Sequence, residues 1–410
     1  MRVKQSPNTL VGARDANHAN KQEMLQAATL LSFFMLHTTR AATRCLSVLV
    51  FACVALPLLG HLQARIEQSS TTCLRWGVLG TGDWAQFFAR TLRHTPGHVL
   101  QAVGSRHKHT ADVFCETFNV PTKSCHASYT SLVHDPEVDV VYVVTPEAFH
   151  FNHSLLALQA GKHVLCEKAF TVNAHQAADL ITIARTRKLF LMEAMGERFA
   201  PPLERVHQWL GMIGPVRSIV ADRFVAMKRV TRCYNQANTK VLTIDPTEPG
   251  CSCLLTEAIY PITYVLSILG YSPAQVSSSV DFFEDSGNDA GENISLVYNS
   301  GAEALVRCSL RRDDGSGMTV FYGERGTIFY QEWNVRVTTH DGQSESFRYS
   351  GTLCSSCANE EVLEVGRSLA QGLLESPRMP LDETLAKMRV LDAIRARWDP
   401  RLSQRWNPGR

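Results

Sequence analysis

Excess charge of one sign is what this 410-residue chain most conspicuously lacks: 41 basic residues face 39 acidic ones, for a net charge of +2 at neutral pH. So even a balance gives no electrostatic footprint for nucleic acid and no field for drawing in an acidic macromolecule. Internal repeats and long low-complexity tracts are also missing, which excludes solenoids and propellers. Cysteines paired at zinc-ligand spacing are scarce. The twelve cysteines are scattered; Cys354 and Cys357 form a lone C-x-x-C, and Cys251 and Cys253 are one residue apart. A structural zinc takes four ligands, usually as two close pairs. The favoured reading therefore assigns no metal and treats the cysteines as small buried hydrophobes plus a few surface thiols. Convergence of the two pairs on one zinc is the lesser alternative.

A long uninterrupted hydrophobic run is lacking too. The apolar stretch Leu46–Gly60 carries no charge but contains Pro57, and it falls short of the roughly 17–25 residues that span a bilayer. Ahead of it, residues 1–45 form a polar, basic segment. Positive charge followed by a short apolar core also describes a secretory signal, well proportioned if translation starts at Met35. The reading makes residues 46–62 a signal or membrane-anchor segment, with the remainder of the chain across the membrane. A membrane or secretory-pathway placement is favoured over a cytoplasmic one. An extension ahead of a soluble enzyme that begins at Leu74 remains the alternative. Asn152-His-Ser and Asn293-Ile-Ser are glycosylation sequons that leave the matter open.

What is present is a globular composition, 45% hydrophobic and 20% charged, with room for two or three domains. The rest of the chain is organised around Leu74–Ala85, LRWGVLGTGDWA. An apolar run ends at Leu79, and Gly80, Gly82 and Ala85 follow at the spacing G-x-G-x-x-A. Phe87, Phe88 and Leu92 then suit a helix packed on a sheet. Gly80 permits a tight turn, Gly82 lets a pyrophosphate approach the backbone, and Ala85 lets helix and strand pack closely. The free N–H groups at the helix start face the anion. A strand before and a helix after are the context that makes this spacing a dinucleotide fingerprint. The next strand, Val99–Gly104, ends in Ser105-Arg106. An acidic residue there would accept bonds from the ribose 2′-hydroxyl of NAD. A hydroxyl and a guanidinium suit a 2′-phosphate instead, so NADP is favoured.

Helices are expected at Ala111–Phe118 and Tyr129–Val133, a buried strand at Asp139–Val144 running into Thr145-Pro146, and a helix opened by His150. A strand at His163–Cys166, a helix capped by Asn173 and running to Arg187, and a strand at Leu189–Glu193 complete the alternation, which predicts a doubly wound parallel sheet. Beyond Glu193 the pattern changes. Pro201–Leu210 reads as a helix, Val216–Ala226 as a strand, Val230–Gly250 as an irregular loop near the site, and Cys253–Leu269 as one long helix carrying Thr256, Glu257 and Tyr260. Strands follow at Val276–Phe283, Ile294–Tyr298, Ala302–Leu310, Met318–Tyr322, Thr327–Tyr330, Val335–Thr339 and Ser346–Tyr349, and helices at Glu360–Leu374 and Leu381–Trp398. The fold class is α/β: a Rossmann domain over residues 74–196 and, over residues 197–410, a second α/β domain with a large, mostly antiparallel open sheet.

The succession LRWGVLGTGDWA, YTSLVHDPEVDVVYVVTPEAFH, ALQAGKHVLCEK, LFLMEAMGERFAPPLERV, LLTEAIYPITYVLSILG and MPLDETLAKMRVLDAIRARW resembles the glucose-fructose oxidoreductase / inositol dehydrogenase-like family. Within it, the sequence looks like the branch of dimeric dihydrodiol dehydrogenases and NADP-dependent D-xylose dehydrogenases. The resemblance covers about Leu74–Trp398. It implies hydride transfer between nicotinamide C4 and a carbinol carbon of a sugar or a trans-dihydrodiol, and a homodimer formed through the large sheet. The family's E-K-P corresponds to Glu167-Lys168-Ala169, and its D-x-G-x-Y to Thr256-Glu-Ala258-Ile-Tyr260. Lysine and tyrosine are kept, while Thr256, Ala258 and Ala169 depart from the pattern. Lys168 and Tyr260 are the expected catalytic pair: a phenol is a poor base at neutral pH, and an ammonium within about 4–6 Å favours its phenolate.

The cofactor is expected against Gly80, Gly82, Asp83, Trp84 and Ala85, then Ser105 and Arg106, Thr145, Pro146 and His150, and Glu167 with Lys168. Glu167 is expected to support its loop, and Arg198 and Glu193 to line the cleft. A nucleotide-binding sensor or scaffold of the same fold, without turnover, is the alternative reading.

Overall fold

The computed structural model describes residues 73–225, 252–283, 288–312, 317–331, 334–349 and 353–398. The basic segment 1–45, the apolar segment 46–62 and the loop Val230–Gly250 lie outside the described residues. Among the described residues no helix is long and apolar enough to cross a membrane.

Six short strands make the first sheet: β1 (Leu74–Leu79), β2 (His98–Gly104), β3 (Cys125–His126), β4 (Val140–Val143), β5 (His163–Glu167) and β6 (Leu191–Ala194). Their order is β3-β2-β1-β4-β5-β6, parallel throughout. Every residue of β4 is buried, as expected of a central strand covered on both faces. The crossovers are α1 (Asp83–Leu92), α2 (Lys108–Phe118), α3 (Tyr129–Val133), α4 (His150–Gln159) and α5 (Ala174–Arg187). Asn173 caps α5 through a side-chain bond from the Gln176 N–H, as expected of Asn at this position. On α1 it is Phe88, not Phe87, that enters the core. Phe88 stacks on Tyr142 at 3.8 Å, while Phe87 stacks on Trp84 at 4.9 Å. A fully buried Phe contributes roughly 1.5–3 kcal/mol.

After α6 (Pro201–Ile213) comes β7 (Val216–Phe224), the first strand of a second sheet. The expected long helix from Cys253 is present to Leu269, but it opens with a π-helical turn, Leu254–Ala258, before α7 (Ile259–Leu269). Then come β8 (Gln275–Phe282), β9 (Asp289–Val297), β10 (Glu303–Ser309), β11 (Met318–Gly323), β12 (Gly326–Gln331), β13 (Asn334–Thr339) and β14 (Ser344–Arg348). The order is β14-β13-β12-β11-β7-β10-β9-β8, with only the β7–β10 pair parallel. Strand β9 starts earlier than its apolar run suggests, because Asp289 and Glu292 are buried in it. Helices α8 (Leu353–Ala370) and α9 (Leu381–Arg395) close the described chain. Helix α8 begins ahead of the expected Glu360 and stops short of Leu374, where Gly372 takes φ +70°.

One face of the second sheet packs on α6 and α7. The other exposes Leu305, Met318 and Tyr322, each more than a third accessible. The cysteines are not simply scattered hydrophobes: disulfides join Cys115 to Cys125 and Cys253 to Cys308. Cys253 is thereby unavailable as a zinc ligand. Among the described residues no group of three or more His, Cys, Asp or Glu side chains could hold a metal.

Candidate active site

The turn from β1 into α1 is shaped by its glycines. Gly80 has φ +122°, and a Cβ there would lie 3.0 Å from the Val144 carbonyl oxygen. Gly82 is the N-cap of α1, no side chain caps the helix, and a Cβ at Gly82 would meet nothing within 4 Å. The amide donors of the first turn therefore open onto free space beside a helix N-terminus, the surroundings an anion needs. Asp83 begins the helix, and Ala85 is fully buried where helix and strand meet. This cradle fits a pyrophosphate.

At the end of β2, Ser105 is buried, with its hydroxyl 2.5 Å from that of Thr110. Arg106 is exposed, and its charge acts on Tyr129 and His153. At the end of β4, the Thr145 hydroxyl bonds His153 Nδ1 at 2.9 Å, and Pro146 leads into the turn before α4. His150 is buried, with one ring nitrogen 2.7 Å from the Thr145 carbonyl and the other 2.7 Å from that of Ala169. Burial opposes the charged ring, but Cys166, Glu147 and the Ala169 carbonyl outweigh it and push the His150 pKa up to about 10. Two carbonyl acceptors require two ring N–H donors, as only an imidazolium offers. His150 thus ties the loop after β4 to the loop after β5.

Glu167 turns inward. It accepts from Trp84 Nε1 at 2.6 Å and from the Tyr142 hydroxyl. Burial raises its pKa, against the pull of those donors and of Lys168. Its bond to Trp84 fastens the start of α1 to the end of β5. Just beyond, the Lys168–Ala169 peptide is cis and Ala169 is fully buried. Lys168 Nζ donates to the Thr256 carbonyl at 2.9 Å and lies 4.9 Å from the centre of the Tyr260 ring. The lysine after β5 and the tyrosine of α7 are therefore neighbours across 88 residues of chain separating Lys168 from Thr256.

Glu193 and Arg198 do not line the cleft. Glu193 is fully buried and paired with Lys387 of α9 at 2.8 Å. Arg198 is taken up by Glu383, the Tyr271 hydroxyl and the Arg378 carbonyl. Their place is filled by residues that the sequence reading passed over. Arg223 Nε meets Glu257 at 2.9 Å, its Nη2 meets Glu197 at 3.3 Å, and its guanidinium carbon is 4.7 Å from the Tyr260 ring centre. The available signal was the period of β7, whose inward positions Ile219 and Ala221 continue to Arg223. A charge on an inward face needs a partner.

Comparison with known proteins places the chain among oxidoreductases. The GFO/IDH/MocA family model, described as an oxidoreductase family with an NAD-binding Rossmann fold, matches residues 74–195. The chain is 30% identical over 335 residues to trans-1,2-dihydrobenzene-1,2-diol dehydrogenase of Mus musculus, covering 78% of this chain and 96% of that relative. It is 29% identical over 362 residues to D-xylose 1-dehydrogenase (NADP(+)) of Hypocrea jecorina, covering 78% and 90%. Among solved structures, a 3-ketoreductase from Actinomadura kijaniata, in complex with NADP and TDP-benzene, superposes with a TM-score of 0.68 at 25% identity, covering 79% of this chain and 97% of that one.

Proposed function

This chain belongs to the GFO/IDH/MocA oxidoreductase family, and from that premise we propose that it is an NADP-dependent dehydrogenase acting on a carbinol carbon of a sugar or a trans-dihydrodiol. The observation that carries the reading is the meeting of Lys168 with Tyr260 at the edge of the sheet where the glycine turn opens. Ligands of open α/β sheets bind outside the carboxyl ends of the strands. The chemistry a bound NADP supplies is hydride exchange at nicotinamide C4. Gly80, Gly82 and the uncapped start of α1 would hold its pyrophosphate, Ser105 and Arg106 its 2′-phosphate, and the Thr145-Pro146 turn its nicotinamide half. Asp83, Trp84, Ala85, His150 and Glu167 would shape that cradle from behind.

Tyr260 takes the carbinol O–H proton in oxidation and returns it in reduction. Lys168 holds the ring and the reacting oxygen and favours the phenolate. Tyr260→Phe should cut turnover by at least about 10²-fold, the usual scale of general acid–base catalysis. NADPH binding, followed by nucleotide fluorescence, should stay unchanged. Turnover at the wild-type rate in that variant would remove the proposed chemistry.

The same reading extends to assembly and placement. Leu305, Met318 and Tyr322 on the open face of the second sheet suit a homodimer interface. The two disulfides suit an oxidising compartment, which supports secretory or membrane-anchored placement through residues 46–62. Protease protection of a tagged chain in microsomes tests the latter; digestion without detergent would exclude it.

A further inference from the structure

Strand β7 brings one charge to the inward face of the second sheet, and the acid–base pair does not account for it. Arg223 is enclosed by two carboxylates from different elements: Glu257 from the π-helical turn at 2.9 Å, and Glu197 from the short turn after β6 at 3.3 Å. Glu257 stands at the first variable position of the D-x-G-x-Y pattern. A guanidinium held at two points has little freedom left, and this one lies 4.7 Å from the centre of the Tyr260 ring. Lys168 Nζ lies 4.9 Å from the same centre. The phenol is thus under two cations, one from each sheet. A cation over an aromatic face is attracted to it, and a cation beside a phenol stabilises the phenolate.

We propose that Arg223 is a positioning residue for the reaction: braced by Glu197 and Glu257, it acts with Lys168 to hold Tyr260 in place and to bias it toward phenolate. The proposal rests on the reading of Tyr260 as the proton-exchanging group. Among the described residues, the cations over this ring are Lys168 beyond β5 and Arg223 on β7, and the charged groups behind Arg223 are Glu257 in the π-helical turn and Glu197 after β6. Tyr330 on β12 senses the same Glu197 and Arg223 charges. Burial disfavours the Arg223 charge, but Glu197, Glu257 and the Tyr260 oxygen outweigh it and keep it ionised. Burial also pushes Glu197 up, while Arg223 pulls it back.

The test is the ionisation of Tyr260 itself, read in the full-length chain without substrate. The phenolate absorbance of each protein, minus that of its Tyr260→Phe counterpart, gives the titration midpoint of this one phenol. Arg223→Met and Arg223→Gln should move that midpoint upward by about one pH unit, and Arg223→Lys by less, because an ammonium keeps the charge but cannot bridge both carboxylates. The rise of kcat for alcohol oxidation with pH should move upward by the same amount. If Arg223→Met does not fold, the polar but uncharged Arg223→Gln carries the test. An unshifted or lowered midpoint in a folded Arg223→Gln protein overturns the proposal. Wild-type turnover by Tyr260→Phe would instead overturn the acid–base reading, while the titration would still report whether Arg223 acts on the phenol.

Discussion

At the end of β2 a hydroxyl and a guanidinium stand where a carboxylate would bind a ribose 2′-hydroxyl. Arg106 is exposed there, so its removal should leave the fold unchanged. Arg106→Ala should weaken NADP by at least about tenfold, through loss of a charge-assisted contact, and leave NAD nearly unchanged; fluorescence titration with both nucleotides checks this. Deeper in the chain, burial pushes the Glu361 carboxyl well above the usual carboxylate range, and the charges of Glu167 and Glu193 push it further. Its Oε1 has no hydrogen-bond partner among the described residues. A carboxyl with a raised folded pKa contributes stability that is complete below its unfolded value and is lost as pH rises toward the folded one. Stability should therefore decline as pH rises above the ordinary carboxylate range. Glu361→Gln, with no proton to lose, should flatten that decline in urea unfolding followed across pH.

Elements meet at this site through a few polar tethers. The bond from Trp84 to Glu167 joins the start of α1 to the end of β5. His150 joins the loops after β4 and β5. The Leu254 N–H at the π-helical turn donates to Asp289 of β9 at 2.7 Å. The pair Glu193–Lys387 joins β6 to α9, with the two side chains 0% and 1% exposed. Breaking such a pair strands a buried charge. Lys387→Met should cost about 3–5 kcal/mol in urea unfolding, and the additional change Glu193→Leu should recover most of that loss. A loss that persists in the double variant would show that packing, rather than the stranded carboxylate, dominates. The elements themselves were largely legible from residue patterns. The β4 run VVYV, the Asn173 cap and the alternating runs of the second sheet carry their signals locally. The π-helical turn was not legible, because its start is fastened by Asp289 and by a disulfide to Cys308, both remote in sequence.

At the scale of the whole molecule, the second sheet is covered on one face and open on the other. Leu305, Met318 and Tyr322 lie on the open face at 38%, 37% and 43% exposure. Large exposed apolar side chains on a sheet face suit association with a second copy. Light scattering should give the mass of a dimer for the wild-type chain, and Tyr322→Glu combined with Leu305→Glu should give the monomer. A monomeric wild type would remove the homodimer from the proposed function.

The amino-acid sequence by itself determined the glycine turn, the parallel sheet around it, and the choice of Ser105 and Arg106 over a carboxylate. Each of these depends on short-range spacing, where backbone geometry and hydrophobic period act within one or two elements; Lys168 and Tyr260 became candidates through the family resemblance instead. Only the tertiary structure decided which charges share a space. It withdrew Glu193 and Arg198 into ion pairs with Lys387 and Glu383, and it delivered Arg223, braced by Glu197 and Glu257, to the phenol. A charge buried with an opposite charge and one poised in a cleft can look identical along a chain. The partner that distinguishes them arrives from another element, and desolvation makes that partner decisive.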